Sequence, residues 1–182
     1  MKQDKENFMN IERIKMKIRK LTLEDLPTRV NWMNNPEIYA TMHFEIPITL
    51  EKTEQWFKNN IGNEQRIDMV VEDEEEIVAF CGITSIDPIT KKGESYTFVN
   101  PRKKGKGIGT VARTLLLNYV FKVVGLNKVY CLTNEDNLSS CHVSEKLGFS
   151  LEGRHRKEFL SSSGELKDRL YYGLLKEDWK EK

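Results

Sequence analysis

Residues 100–110, NPRKKGKGIGT, decide how this chain folds, because they join a strand-like run to a helix-like run through a turn almost free of side chains. Glycines stand at 105, 107 and 109, among the cations Arg102, Lys103, Lys104 and Lys106. Such a backbone lets several N–H groups converge on one anion, and the positive end of a following helix adds to the attraction. A phosphate suits the turn; a solvated basic loop ahead of an ordinary helix is the plainer reading. Two nucleotide signatures fail here. A P-loop needs Lys-Ser/Thr after its last glycine, and Gly109 is followed by Thr110-Val111. A dinucleotide fingerprint needs its third glycine at 110, where Thr110 stands.

Upstream of the turn, 94–100 is strand-like and ends at Pro101. Before it, 67–72 and 77–86 flank the acidic turn Asp73-Glu74-Glu75-Glu76 and predict an antiparallel hairpin. Nearer the start, Ile14, Met16 and Ile18 alternate with cations in the period of a half-buried strand. Thr22 with Asp25 reads as a capping box that opens a helix through Val30, Trp32 and Met33, which Asn34-Asn35-Pro36 ends. Short helices are predicted over 38–42 and 49–61, the second stopped by Gly62. Downstream, Val111, Leu115, Leu116, Tyr119, Val120 and Val123 give one apolar helix face, ended by Gly125. A strand over 128–133, a helix over 138–147 closed by Gly148, a strand edge over 149–152 and a hairpin of 157–160 with 166–175 complete the order. It predicts an α/β domain, a mixed sheet with helices on its faces.

The bounds agree with one enzyme-sized core. The 182 residues suit a single domain over 14–182, behind a flexible N-terminal extension of residues 1–13. Lys plus Arg number 29 against 28 Asp plus Glu, a net charge of +1, so nothing points to a general polyanion binder and no nucleic-acid partner is expected. Cys81, Cys131 and Cys141 show no paired spacing, and two lie in apolar strand-like runs. Neither a signal peptide nor an apolar run of membrane-spanning length is visible. A cytoplasmic location without a membrane partner is expected.

Lys104-Gly105-Lys106-Gly107-Ile108-Gly109 resembles the pyrophosphate-binding signature Gln/Arg-x-x-Gly-x-Gly/Ala of the GNAT superfamily of acyl-CoA N-acyltransferases, with Lys104 in place of Gln or Arg. A second segment, Asn134-Glu-Asp-Asn137-Leu-Ser-Ser140-Cys-His-Val-Ser144-Glu-Lys-Leu-Gly-Phe149, is similar to that family's Asn-x-x-Asn and Glu-Lys-Leu-Gly-Phe block. The resemblance runs from Ile14 to Trp179. It implies the GNAT fold, a central mixed, mostly antiparallel sheet of about seven strands with helices on both faces. It also implies acetyl-CoA as co-substrate, no metal, and an N-acetyltransferase in which amine and acetyl-CoA react directly in a ternary complex. On this likeness the pantetheine arm lies along Phe98, Val99 and Asn100, the turn of Lys104, Gly105, Lys106, Gly107, Ile108, Gly109 and Thr110 holds the pyrophosphate, and Asn134 and Asn137 offer side-chain amides. Asn137 also has the identity of a plain helix N-cap.

The chemistry asks for a base to take a proton from the amine and an acid for the departing thiolate. Many relatives carry a tyrosine four residues after the Ser140 position; here Ser144 stands there. That departure points toward the branch resembling ribosomal-protein alanine N-acetyltransferases, where the serine matched by Ser140 is the proposed acid. Ser140 has a structural reading too, as a small polar residue in a first helical turn. Glu94 and Glu158 match positions where relatives have a carboxylate and are the candidate bases. His43, His142 and His155 fit no triad order or metal spacing and read as structural or solvated.

The acceptor is left open by composition. Trp32, Asn35 and Tyr39, with the stretch of residues 48–56, fall where relatives build the acceptor wall. The resemblance favours a protein N-terminus of the ribosomal type, with an amino-sugar nucleotide, a polyamine or a non-catalytic CoA-binding module as alternatives. Apolar and aromatic residues late in the chain, Tyr171, Tyr172, Leu174 and Leu175, suggest a homodimer.

Overall fold

A computed structural model describes residues 16–42, 45–161 and 164–181. The expected extension of residues 1–13, together with Ile14 and His43, lies outside them. A short strand β1 (Lys17–Lys20) leads into a 3-10 turn (Leu23–Asp25) and helices α1 (Leu26–Met33), α2 (Pro36–Tyr39) and α3 (Leu50–Asn59). The meander β2 (Ile67–Asp73), β3 (Glu76–Asp87) and β4 (Lys92–Val99) follows. Helix α4 (Ile108–Tyr119), strand β5 (Lys128–Asn134), helix α5 (Leu138–Leu147) and the hairpin β6 (Ser150–Leu160) and β7 (Leu166–Leu175) complete the chain. The seven strands lie in the order β1-β2-β3-β4-β5-β7-β6. Every neighbouring pair is antiparallel except β4 with β5. The mixed, mostly antiparallel sheet expected from the sequence is therefore present.

Alternation along the central strands divides the core in two. Met69, Val71, Ala79, Cys81 and Ile83 pack with α4 and α5, while Val70, Phe80 and Phe98 turn to the other face and pack with Leu26, Trp32 and Ile38. The capping box at Thr22 forms, with the Asp25 carboxylate accepting from the Thr22 backbone N–H at 2.8 Å. Arg19 grips the same carboxylate through both terminal nitrogens, at 2.7 and 2.8 Å, and so ties β1 to the first helix. Glu74 and Glu75 adopt positive φ, 49° and 71°, as a two-residue hairpin turn between right-twisted strands requires.

Three expectations are corrected. The short helix predicted over 38–42 occupies Pro36–Tyr39, because the Asn35 side chain caps it by accepting from the Glu37 N–H at 2.9 Å. Val123 is 70% exposed; the chain widens into a π-helical turn at Val120–Val124, so Phe121 is buried instead. The predicted strand edge over 149–152 and strand 157–160 are one long β6, which passes the basic run 154–157 with a register shift between His155 and Phe159 and a positive φ, 53°, at Lys157. A bulge of that kind absorbs the extra residues without ending the strand. No helix among the described residues is long and apolar enough to cross a membrane.

Candidate functional site

The site begins where two strands part. β4 and β5 pair in parallel only from Lys92↔Lys128 to Glu94↔Tyr130. Ser95 makes the last link, its hydroxyl donating to the Tyr130 carbonyl at 3.2 Å. Beyond it, Thr97, Phe98 and Val99 pair with β3 alone, and Cys131 to Asn134 pair with β7 alone. The two inner edges face each other across a cleft of about 600 Å³ with ladder positions open to an extended guest.

At one end of the cleft lies the glycine turn. Gly105 and Gly107 have φ of 78° and 77°, a left-handed backbone that favours glycine. Gly107 caps α4 and no side chain caps its first turn, so the helix offers its N–H groups outward. Gly105, Gly107, Ile108, Gly109 and Thr110 line the cleft, with Lys104 beside them; Lys106 is exposed and is not among the lining residues. Lys103 pairs with Glu76 at 2.5 Å and Lys104 with Glu37 at 2.6 Å, both near the surface. Asn100 is not among the lining residues. Its side chain accepts from the Arg102 N–H at 3.0 Å and its own N–H donates to the Val78 carbonyl, so it builds the turn. Asn134 is 5% exposed and its Oδ1 has no partner, an orphaned acceptor at the edge of the cleft. Asn137 caps α5, its Oδ1 accepting from the Ser140 N–H at 3.2 Å, and still lines the cleft. A chain carrying amides and ending in a pyrophosphate fits this set: open strand edges, one orphaned acceptor, and a helix N-terminus.

The middle of the cleft holds the ionisable groups. Glu94 lines it, and burial raises its pKa from the ordinary carboxylate value, with Arg169 opposing and Glu158 adding to the rise. Glu158 is exposed on β6, its carboxylate 2.9 Å from His155 Nδ1, and does not line the cleft. Ser140 does line it; Ser144 is fully buried behind it. Between the two hydroxyls stands Arg113, 8% exposed, donating from Nη1 to Ser144 Oγ at 2.8 Å and from Nη2 to Ser140 Oγ at 3.1 Å.

The far end is walled by side chains from several segments. Arg29 is buried with its guanidinium 5.2 to 5.6 Å from the ring centres of Trp56, Phe98, Tyr96 and Phe80. Arg66 stacks on Trp56 at 4.7 Å and holds Asp68 with two bonds, at 2.7 and 3.0 Å. The Tyr96 hydroxyl donates to Asp68 at 2.5 Å, and burial pushes its pKa up, so the phenol stays protonated. Of the predicted acceptor residues, none lines the cleft. Trp32 is core, edge-on to Phe80 at 5.1 Å; Asn35 is occupied as a cap; Tyr39 is half-buried outside the cleft lining. The same segment contributes Glu37, Ile38, Thr41 and Met42 instead. Among the described residues no group of three His, Cys, Asp or Glu could hold a metal ion.

The sequence reading missed Arg29, Arg66, Arg113 and Arg169. Only Arg113 left a trace, as a cation next to Ala112 on the apolar face that continues through Leu116 and Leu117.

Residues 15–150 match the acetyltransferase (GNAT) domain family. The chain is 29% identical over 145 residues to spermidine N(1)-acetyltransferase of Escherichia coli strain K12, covering 79% of this chain and 77% of that protein. It is 35% identical over 104 residues to the putative ribosomal N-acetyltransferase YdaF of Bacillus subtilis strain 168, 56% of each chain. The crystal structure of spermidine N-acetyltransferase from Vibrio cholerae in complex with CoA and spermine superposes with a TM-score of 0.87 at 24% identity, over 90% of this chain and 97% of that one.

Proposed function

The chain belongs to the GNAT acetyltransferase family, it is an acetyl-CoA-dependent N-acetyltransferase, and we propose that its acceptor is the primary amine of a peptide N-terminus. The observation that carries this reading is the charge of the far end of the cleft. Arg29, Arg66 and Arg169 line it, three guanidinium groups answered by Asp68, which pairs with Arg66 at 2.7 Å and lies 3.8 Å from Arg29, and by Glu94; Glu37 is taken by Lys104 beside the glycine turn. A polyamine brings several ammonium groups and would meet these guanidinium groups as like charges. A peptide brings one amine and a row of carbonyls, which arginine donors suit. The 35% identity to a protein named as a putative ribosomal N-acetyltransferase supports the same choice.

On this reading the open edges of Phe98 and Val99, with Asn134 and Asn137, take the pantetheine amides, and the N–H groups from Gly105 to Gly109 take the pyrophosphate, with Thr110 lining the cleft while its own N–H bonds the Gly107 carbonyl at 3.0 Å. Glu94 accepts the amine's proton, directly or through one water, because burial holds its pKa above the usual carboxylate range. Ser140 faces the departing sulfur; Glu158 supports Glu94 through its charge. Bound acetyl-CoA supplies the activated acyl group. A homodimer formed through the β6–β7 end belongs to the same proposal; of the residues expected to form it, Tyr172 and Leu174 are buried in the core, and the exposed apolar residues at that end are Leu151, Leu160 and Leu166. A monomeric mass in light scattering would remove it.

The second reading, a polyamine acceptor, draws on the relatives named spermidine acetyltransferases and on Glu37 and Glu94 in the lining. An amino-sugar nucleotide would use the same arginines for its phosphates. Thiol release from acetyl-CoA against peptides, spermidine and amino-sugar nucleotides separates the three. Peptides should exceed spermidine in kcat/KM by about tenfold or more. Turnover with spermidine alone overturns the peptide assignment.

A further inference from the structure

Arg113 is a buried cation whose two terminal nitrogens are hydrogen-bonded but whose charge is not met. Its guanidinium donates to Ser144 and Ser140, both neutral, and no carboxylate lies within ion-pair distance of it among the described residues. A guanidinium keeps its proton at any ordinary pH. Isolated buried charges are costly and are normally paired. The α4 backbone around it is regular, so nothing local needs a charge at this point. Its place suggests the missing partner. Arg113 lines the cleft six residues beyond Gly107, about 9 Å along the helix from the turn. A guest whose phosphates rest at that turn and whose arm follows the parted strands would bring its far end there.

The serines refine this. Ser144 is saturated, accepting from Arg113 and donating to the Ser140 carbonyl at 3.0 Å. Ser140 Oγ accepts from Arg113, and an arginine only donates, so the Ser140 proton is directed away from it. That proton can go to Thr133 Oγ1 at 3.2 Å or into the cleft, which Thr133 and Ser140 both line. The pair presents an O–H donor backed by a fixed positive charge.

We infer that Arg113 is the positioning residue for the leaving group: it orients the Ser140 hydroxyl and holds the departing CoA sulfur as a thiolate. The inference rests on the acetyl-CoA reading above. Transfer forms the bond between amine nitrogen and carbonyl carbon and breaks the carbon–sulfur bond. The sulfur leaves with the bonding pair, the amine's proton passes to Glu94, and the thiolate is reprotonated by solvent on release. Arg113 stabilises the anion through Ser140 without losing a proton itself. Glu94, Cys131 and Arg169 are the other ionisable groups lining this stretch. Glu94, when charged, opposes a thiolate, and Arg169 favours it.

The test compares CoA with desulfo-CoA, which lacks only the sulfur, by calorimetry across pH, with thiolate ultraviolet absorbance as a second readout. A cysteine thiol ionises near pH 8.5, and an alkyl thiol without amides beside it ionises higher. If Arg113 holds the thiolate, bound CoA ionises at a lower pH than free CoA. Affinity for CoA relative to desulfo-CoA then rises with pH, roughly tenfold per unit between the bound and free pKa values, and levels off above the free one. Arg113→Gln should flatten that ratio while leaving desulfo-CoA affinity nearly unchanged, and Arg113→Lys should retain part of the rise. A flat ratio in the wild-type protein overturns the inference even if Arg113→Gln does not fold. An unchanged rise in Arg113→Gln overturns it too. Failure of the wild-type protein to bind either nucleotide overturns the acetyl-CoA reading itself, a different and distinguishable result.

Discussion

The two ends of the cleft are built from different materials. The end assigned to acetyl-CoA is largely backbone: the unpaired edges of β4 and β5, the left-handed glycines 105 and 107, and the uncapped first turn of α4. The end proposed for the acceptor is side chain: Arg29 from α1, Ile38 from α2, Arg66 ahead of β2, Tyr96 from β4 and Arg169 from β7. A backbone site constrains a few consecutive residues, because only glycine fits a left-handed, close-approach turn. A side-chain site constrains positions far apart in the chain, each of which reads alone as an ordinary surface or core residue. The first kind can be kept while the second is rebuilt for a new acceptor.

Glu94 stands where the two ends meet, and its loss should have the largest effect. Glu94→Gln is expected to lower kcat about a hundredfold to ten-thousandfold with acetyl-CoA affinity intact. The sign of the pH dependence follows from the shift. The base must be deprotonated, and burial raises the Glu94 pKa. Activity therefore climbs with pH through a midpoint above the usual carboxylate value, and Glu94→Gln removes that limb. A variant that keeps both the rate and the limb would move the base elsewhere, with Glu158 next in line.

Next in size comes the backbone site. Gly107→Asp puts an anion where phosphate is to rest and should weaken acetyl-CoA binding roughly a hundredfold. Gly107→Ala divides the effect. A Cβ there meets nothing within 4 Å, yet φ is +77°, so alanine should cost about 1–2 kcal/mol of backbone strain with little loss of affinity. Equal affinity losses from both variants would mean that the turn's shape matters and its charge does not.

This difference in materials also explains how much could be read in the sequence. The meander, α4, α5 and the turn were legible because each carries a local signal: alternation, a capping box, a helix-ending glycine. Asn134 and Asn137 were named through their resemblance to a block spaced along a single strand–helix unit, and both line the cleft. Trp32 was misplaced because α1 turns it into the core against Phe80, and Asn35 and Tyr39 because the cap at Asn35 sets the rotation of α2, which no periodicity over four residues can fix. The β6 bulge hid a long strand behind its basic residues. Arg29 and Arg66 gave no signal, since the aromatic rings and the carboxylate that hold them come from β2, β3, β4 and α3.

A smaller effect would sharpen the acceptor side. Arg66→Ala breaks the paired bonds to Asp68 and the stack on Trp56 without touching the strand edges or the turn. The acceptor KM should rise about tenfold while acetyl-CoA affinity stays level. For a polyamine the sign reverses: removing a cation and freeing Asp68 should lower KM for spermidine. Opposite changes for peptide and spermidine would establish that this end selects by charge, and parallel changes would reduce Arg66 to a structural post for Trp56.

The smallest expected effect tests whether the backbone end also relies on one side chain. Asn134 Oδ1 is buried on β5 without a hydrogen-bond partner, and an unsatisfied buried acceptor costs about 1–3 kcal/mol. A protein keeps such a group where a ligand satisfies it. Asn134→Leu, close in volume and apolar, should leave the free protein as stable as the wild type or raise its Tm by a few degrees. The same change should weaken acetyl-CoA binding about fivefold to tenfold, the worth of one hydrogen bond to an amide. Ligand would then raise the Tm of the wild type more than that of the variant. A variant less stable without ligand, with acetyl-CoA affinity unchanged, would mean that Asn134 serves the fold, and that recognition at this end is carried by main chain alone.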